Sequence, residues 1–415
     1  MMFIHFIIAG FLSFSSFAQV CPEVTPINWL LKEVEDTHPQ LLFKRLQLDQ
    51  LQAKEYEAKK FINPEVEHFS VWGREFEPKP VYMNESRLWF TLQLANKRKG
   101  RTEAWEKALK AEKYDEKLLK QALLKDLWLN FFRLHQIHDE MRIKNKIISK
   151  LEFILGQYQK RKYLSPDQTL EERIIKMVLD NFQLSENFLQ REKLSIFEFL
   201  KEVTGYQCQI SKVSELEDNI RWPKPRDLEG EEKVELVLSK MASLQFDLNS
   251  ANAILADKKA IPDLRIAPVF QNYQSGTKDV YTAGLSFVFP LPVFDRNQTE
   301  RFATTYQKEW AHRQIELSQK KEQNRLNFHK EKYKSGLFLI KELEVIEESL
   351  SKFDNVETKF KEGKLSINNV VEFCRQLDDI MKNYHIGETS LMNDLLQIYE
   401  LKGLINSENL IKLVD

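Results

Sequence analysis

The sequence predicts a mainly α protein made of two tandem copies of one unit, each a helix, two β-strands and a long antiparallel coiled-coil hairpin. Three observations predict it. Only 12 Gly and 13 Pro occur in 415 residues, so turns are few and elements are long. Charged residues make up 30% and hydrophobic ones 42%, a mixture that suits long amphipathic helices. The same order of features also occurs twice, at a spacing near 198 (from Asn63 to Ile261).

The first residues read as an export signal. Phe3 to Phe14 is apolar and Ser16-Phe17-Ala18 follows, with small residues where a signal peptidase inspects them. Cleavage after Ala18 makes 1–18 the signal and Gln19 the first mature residue. A short buried helix is the alternative. Cys21 invites a lipoprotein reading, but Phe17-Ala18-Gln19-Val20 fits that signal poorly. No later stretch is apolar enough for a membrane helix, so any membrane entry must be by strands. Cys21, Cys208 and Cys374 do not suggest a disulfide framework; Cys374 falls on an apolar helix stripe and is expected buried and inert.

The first repeat is placed at 19–205, a linker at 206–232 and the second repeat at 233–415. Trp222-Pro223-Lys224-Pro225 makes the linker non-helical. The opening helices are expected at 28–61 and 235–260. Asn63-Pro64-Glu65 and Ile261-Pro262-Asp263 then turn each chain into strands, 65–74 with 87–94 and 264–273 with 281–289. Leu88, Phe90, Leu92 and Leu94 alternate with Arg87, Trp89, Thr91 and Gln93. Tyr281, Ala283, Leu285, Phe287 and Phe289 alternate with Thr282, Gly284, Ser286 and Val288. Such alternation fits a transmembrane β-strand. It equally fits a soluble sheet with one buried face. Four strands cannot close a barrel in lipid, so a membrane reading requires several chains to share one.

The long helices are expected at 100–162 and 297–362, returning over 166–203 and 366–404. Apolar residues step by three and four: Ile148, Leu151, Leu155, Tyr158; Leu339, Leu343, Ile346, Leu350, Phe353; Ile367, Val370, Cys374, Leu377, Met381, Tyr384; and Leu391, Leu395, Ile398. That period packs helices side by side in a left-handed supercoil. Sixty helical residues span about 90 Å, far more than a compact domain needs.

The order of motifs resembles the TolC-like outer-membrane factors, and in wording their heavy-metal (cobalt–zinc–cadmium, copper–silver) branch. The residues that carry this are His38-Pro39-Gln40-Leu41, Phe61-Ile62-Asn63-Pro64-Glu65-Val66, and Gln93-Leu94-Ala95-Asn96-Lys97-Arg98, with Asn96 or Lys97 where Gly is usual. Phe289-Pro290-Leu291-Pro292-Val293-Phe294-Asp295-Arg296-Asn297 and Gly363-Lys364-Leu365-Ser366 complete the set. The resemblance spans about Pro26 to Leu404. It implies an α-barrel of helical hairpins below a twelve-stranded β-barrel shared by a homotrimer. It also implies an outer-membrane location with a large periplasmic part, and a membrane-fusion adaptor and inner-membrane pump as partners.

Pores of this kind do no chemistry, so the residues of interest are at tips and junctions. Tyr163-Leu164-Ser165-Pro166 and Gly363-Lys364-Leu365-Ser366 are the hairpin turns and the expected docking tips. Ser165 and Ser366 are placed as N-caps, with Pro166 at a first helical position. Lys97 and Arg98, with Asp295, Arg296 and Asn297 in the second repeat, mark the strand-to-helix junctions; Arg98 is aligned with Arg296. Basic and acidic residues nearly cancel, 61 against 62, which disfavours a nucleic-acid partner. His135 and His138 share a helix face, but no third ligand is fixed, so no metal site and no cofactor are assigned. No hydrolase or P-loop motif occurs, and an enzyme is not expected. A periplasmic coiled-coil scaffold or adaptor is the competing reading.

Overall fold

The computed structural model describes residues 26–74, 80–204, 221–228, 236–275, 278–343, 356–362 and 364–413. The expected signal, Cys21, Cys208 and Gly363 lie outside them, as does most of the linker. The elements run α1 (Ile27–Thr37), α2 (Pro39–Ala58), β1 (Glu65–Arg74), β2 (Pro80–Leu92), α3 (Lys97–Gln159), α4 (Pro166–Val203), a short 3-10 turn (Pro225–Leu228), α5 (Val237–Lys259), β3 (Leu264–Ser275), β4 (Lys278–Val288), α6 (Gln298–Leu343), α7 (Val356–Lys361), α8 (Ile367–Leu401) and α9 (Ser407–Ile411).

The first expected helix is two helices. Pro39 disfavours helical backbone at the residue before it, and His38 is extended at φ −61°, ψ 124°. Its Nδ1 then accepts from Gln40 N at 3.3 Å and caps α2. β2 begins at Pro80, well ahead of Arg87, and α3 begins at Lys97 and not at Gly100. No proline interrupts the 63 residues of α3, which therefore rises ~95 Å.

The helices α2, α3, α5 and α6 pack in that lateral order. The strands that continue them form one antiparallel sheet in the order β1-β2-β3-β4. The repeats meet where β2 pairs with β3, Met83 opposite Tyr273 and Leu92 opposite Leu264.

Two apolar cores lie along α3. One joins Leu30, Leu31 and Val34 of α1 to Trp128 and Phe132 of α3, Leu200 of α4, and Leu395 and Ile398 of α8. The other joins Ile147, Leu151 and Tyr158 of α3 to Ile175 and Phe182 of α4 and to Ile367, Val370, Cys374, Leu377 and Met381 of α8. The α8 stripe is thus the buried seam that its period describes. Cys374 is fully buried, and burial pushes its thiol up to about 12. The side chains of Leu339, Leu343, Ile346, Leu350 and Phe353 lie outside the described residues.

Polar contacts flank these cores, and those to His385 and Glu388 join the repeats. Arg133 of α3 donates to both carboxylate oxygens of Glu192 (2.7 and 3.0 Å) and to Glu140 at 2.7 Å. Gln136 donates to the His385 carbonyl at 3.1 Å and to Glu388 at 3.3 Å. His385 Nδ1 lies 3.3 Å from Glu140. Burial alone would raise Glu140, but bonds from His385 and Arg133 outweigh it and hold the carboxyl down at about 2. Glu388 is raised, chiefly by burial. Deeper still, fully buried Glu322 of α6 accepts from Leu238 N (2.6 Å), Ser239 N (2.8 Å) and Ser239 Oγ (2.8 Å). A carboxylate from one helix thereby satisfies the orphan amides that open another.

Two outcomes follow. Glu322→Ala removes three charge-assisted bonds and leaves buried amides unpaired, so thermal unfolding should show a loss of about 3 kcal/mol. Glu388 bears a raised pKa, so its charging opposes the folded state above the ordinary carboxylate range. Glu388→Gln should therefore raise Tm at pH 7 and leave it little changed well below the ordinary carboxylate range, where the native residue is protonated in both states.

Candidate functional site

Residues opposed across antiparallel strands share a face, so the register sorts the sheet into two. One face holds Val66 and Trp72 of β1, Leu88, Phe90 and Leu92 of β2, Phe270 of β3, and Leu285 and Phe287 of β4, with a polar patch of His68 bonded to Ser70 and Ser86 among them. It is bare: Val66 is 78% and Trp72 80% exposed. A soluble sheet would cover such a face, and among the described residues no helix packs on it. The alternation left two readings open, and the exposure of this face in the single chain is what a membrane strand requires.

The opposite face is polar and internally paired. Glu67 accepts from Trp89 Nε1 at 2.7 Å and lies 3.6 Å from Arg87. Glu85 pairs with Arg87 and accepts from Gln271 at 2.6 Å. Arg265 bonds Glu65 at 2.6 Å and lies over the Trp89 ring at 4.8 Å. The contacts of Gln271 with Glu85 and of Arg265 with Glu65 and Trp89 join the two repeats, so they fix the register between them. Among the described residues, the outer edges of β1 and β4 have no strand beside them.

Each sheet half hands over to its long helix through a left-handed asparagine. Ala95 and Asn96 have φ of 57° and 55°, and Asn297 has φ 59°. Asn tolerates this region better than most non-glycine residues, which explains its presence where Gly is usual. These asparagines each precede a helix and set the local equivalence at 201 (from 96 to 297). Arg98 therefore stands on Thr299, and Arg296 lies in the loop before α6, a shift from the alignment of Arg98 with Arg296. Lys97 is buried and bonds Asp263 at 2.7 Å, which also accepts from Leu94 N at 3.2 Å. Asp295 accepts from Asn297 N at 2.8 Å, and Asn297 Nδ2 donates to the Ala256 carbonyl and to Glu300. Arg296 donates to the Pro292 carbonyl at 3.3 Å. Asp263 escaped the sequence reading; its only signal was its place after Pro262, matching Glu65 after Pro64.

The two hairpin turns lie together at the far end. Leu164 and Leu365 both pack on the second core, and Tyr158 stands 6.3 Å from Phe360. Ser165 and Gln168 form a capping box, both bonds 3.2 Å, with Pro166 first in α4. Ser366 Oγ accepts from Asn369 N at 3.4 Å. Tyr163 is 84% exposed, and Lys364 pairs with Glu362 at 2.7 Å. Burial, helped by Glu171, pushes the Tyr158 phenol up to about 12.

His135 and His138 are not brought to a ligand set. His135 Nε2 is 3.8 Å from Asp139, and burial lowers its pKa. Among the described residues, no three His, Cys, Asp or Glu side chains are arranged to hold a metal. No helix among them is long and apolar enough to cross a membrane.

No family model matches the chain, and no curated protein matches it in sequence. Solved structures do. The Campylobacter jejuni CmeC outer membrane channel shares 11% identity at a TM-score of 0.71, over 96% of this chain and 94% of that one. The Vibrio cholerae outer membrane protein VceC shares 10% at 0.71, over 91% and 98%. The open state of the Neisseria gonorrhoeae MtrE outer membrane channel shares 9% at 0.73, over 92% and 90%. At such identities the likeness establishes the fold: long helical hairpins rising from a four-stranded sheet, as in these outer-membrane channels.

Proposed function

We propose that this chain is the duct subunit of an efflux assembly, placed in the outer membrane with its helices in the periplasm. The observation that carries this is the bare apolar sheet face backed by a polar one, with both edges open. Lipid would cover the first face and a water-filled lumen would take the second. Three copies joined edge to edge would close twelve strands and satisfy the open edges. The paired tips would receive a membrane-fusion adaptor bound to an inner-membrane pump through Tyr163, Leu164, Ser165, Pro166, Gly363, Lys364, Leu365 and Ser366. The junction residues Lys97, Arg98, Asp295, Arg296 and Asn297 would hold the barrel on the helices. The duct does no catalysis and needs no cofactor in this reading. Heavy-metal ions are the proposed cargo, on the wording of the motifs alone.

Membrane fractionation and bilayer recording test the reading. The full chain should sediment with outer membranes, require detergent for release and conduct as an oligomer. A protein released by osmotic shock as a monomer would sink it. Leu285→Arg puts a charge on the lipid face at a cost of about 2–4 kcal/mol and should abolish insertion, whereas Thr282→Arg on the other face should insert and alter conductance. Tyr163→Ala should weaken cross-linking to the adaptor with Tm unchanged, because the ring makes no core contact. A deletion strain should become metal-sensitive; sensitivity to organic toxicants alone would reject the metal assignment.

A further inference from the structure

A cleft of about 890 Å³ opens where α2 gives way to β1 and α3 begins, lined by Lys54, Tyr56, Glu57, Lys60, Phe61, Arg101 and Trp105 among others. Two of its cations, and Arg98 beside it, face rings. Lys54 Nζ lies 5.4 Å from the centroid of Trp105, Lys60 Nζ lies 4.6 Å from Tyr56, and the Arg98 guanidinium lies 4.0 Å from Phe61. Among the described residues, no carboxylate stands within ion-pair distance of these three, whereas the adjacent Lys59 and Lys99 pair with Glu55 and Glu103. Glu57 also lines the cleft without pairing to these three, and Arg101 donates to Gln93 at 3.2 Å, so Lys54, Lys60 and Arg98 are the cations left to rings. An aromatic ring holds a cation in place without cancelling its charge, so the cleft is prepared for an anion.

Its level on the molecule narrows the anion. The lining residues immediately precede β1 or open α3, within a few turns of the bare apolar band that ends at Val66 and Leu92. At the other edge of the sheet, after β4, the same border carries an exposed apolar loop, Leu291, Val293 and Phe294, with Phe294 95% exposed. Phe302, Tyr306 and Trp310 follow, exposed on the first turns of α6. Aromatic residues with Lys and Arg at such a border mark headgroup depth.

We propose that this cleft binds the phosphodiester headgroup of an anionic phospholipid in the leaflet on the helical side. The inference rests on the membrane reading above. Lys54 and Lys60 supply ammonium groups to the phosphate, Arg98 and Arg101 flank it, and Trp105, Tyr56 and Phe61 pack against the glycerol and upper chain.

The test is native mass spectrometry of the detergent-released full chain with phosphatidylglycerol, with phosphatidylcholine, and with phosphatidylglycerol plus inorganic phosphate. The wild type should retain phosphatidylglycerol about tenfold better than phosphatidylcholine. Lys54→Glu/Lys60→Glu should lose that preference and Lys54→Arg/Lys60→Arg should keep it. Equal retention of both lipids by the wild type, or an unaltered preference in the glutamate variant, overturns the proposal. Displacement of the lipid by equimolar inorganic phosphate overturns it in favour of a free-anion site. A change of oligomeric state in the glutamate variant with lipid preference intact overturns it in favour of a second copy over the cleft. Bilayer recording of the same preparations separates the two readings: a conducting wild type without lipid preference refutes only the cleft, and a wild type that neither conducts nor reaches the membrane refutes the duct.

Discussion

An open β-edge is the constraint on which the rest of this structure depends. Every backbone N–H and C=O removed from water must find a partner. Among the described residues, the sheet satisfies its three internal seams and leaves the outer edges of β1 and β4 open. If its apolar face meets lipid, as proposed, an open edge there is not tolerable. On that reading the chain is incomplete alone. Copies of itself are the economical remedy, because β1 and β4 are the two ends of one repeating order.

That incompleteness explains why the helices are arranged as they are. Each strand continues one helix of the row α2, α3, α5, α6, so the wall keeps its lateral order from sheet to tips. A row of this kind has open flanks as well as open strand edges, and exposed Phe43 and Leu46 on α2 and Tyr306 and Trp310 on α6 are where these flanks lie. The inner contacts are not left to apolar packing alone. Arg265 to Glu65, Gln271 to Glu85 and Lys97 to Asp263 each join one repeat to the other at the sheet and its border. Gln136 and Glu140 do so among the helices, through the carbonyl and ring of His385. Polar pairs specify register where apolar ridges alone would permit sliding.

Much of this was legible because period and length leave marks that identity does not. Alternation in Arg87–Leu94 and 281–289 named the faces that the register then placed together. The three-four stepping of Ile367 to Met381 named a seam that proved buried. At 9–13% identity to channels of the same fold, these constraints are what persist. What was not legible depended on one residue overriding a pattern. Pro39 broke a helix that its flanks would have continued. Asn96 and Asn297 took a left-handed backbone, which moved the repeat equivalence from 198 to 201 at that border. The cleft beside it was hidden for a different reason: Lys54, Phe61, Arg98 and Trp105 are scattered over fifty residues of sequence and meet only when α2 lies along α3.

The junction repays closer argument, because it shows why charge there is divided between two uses. Lys97 is buried, and a buried ammonium must be paired; Asp263 from the other repeat pairs it and also holds Leu94 N. That cation is spent on the fold. Arg98, one residue on, turns the other way and meets the ring of Phe61. A carboxylate in place of that ring would have neutralised it. Position along the helix alone thus separates a cation that locks the sheet to its helix from one left charged at the surface. The same division runs through Lys59 and Lys60, the first paired to Glu55 and the second lying over Tyr56. On the proposed reading, cations left charged at this border would hold the sheet at a fixed depth in an anionic surface, and depth is what a shared barrel would need before its open edges could meet in register.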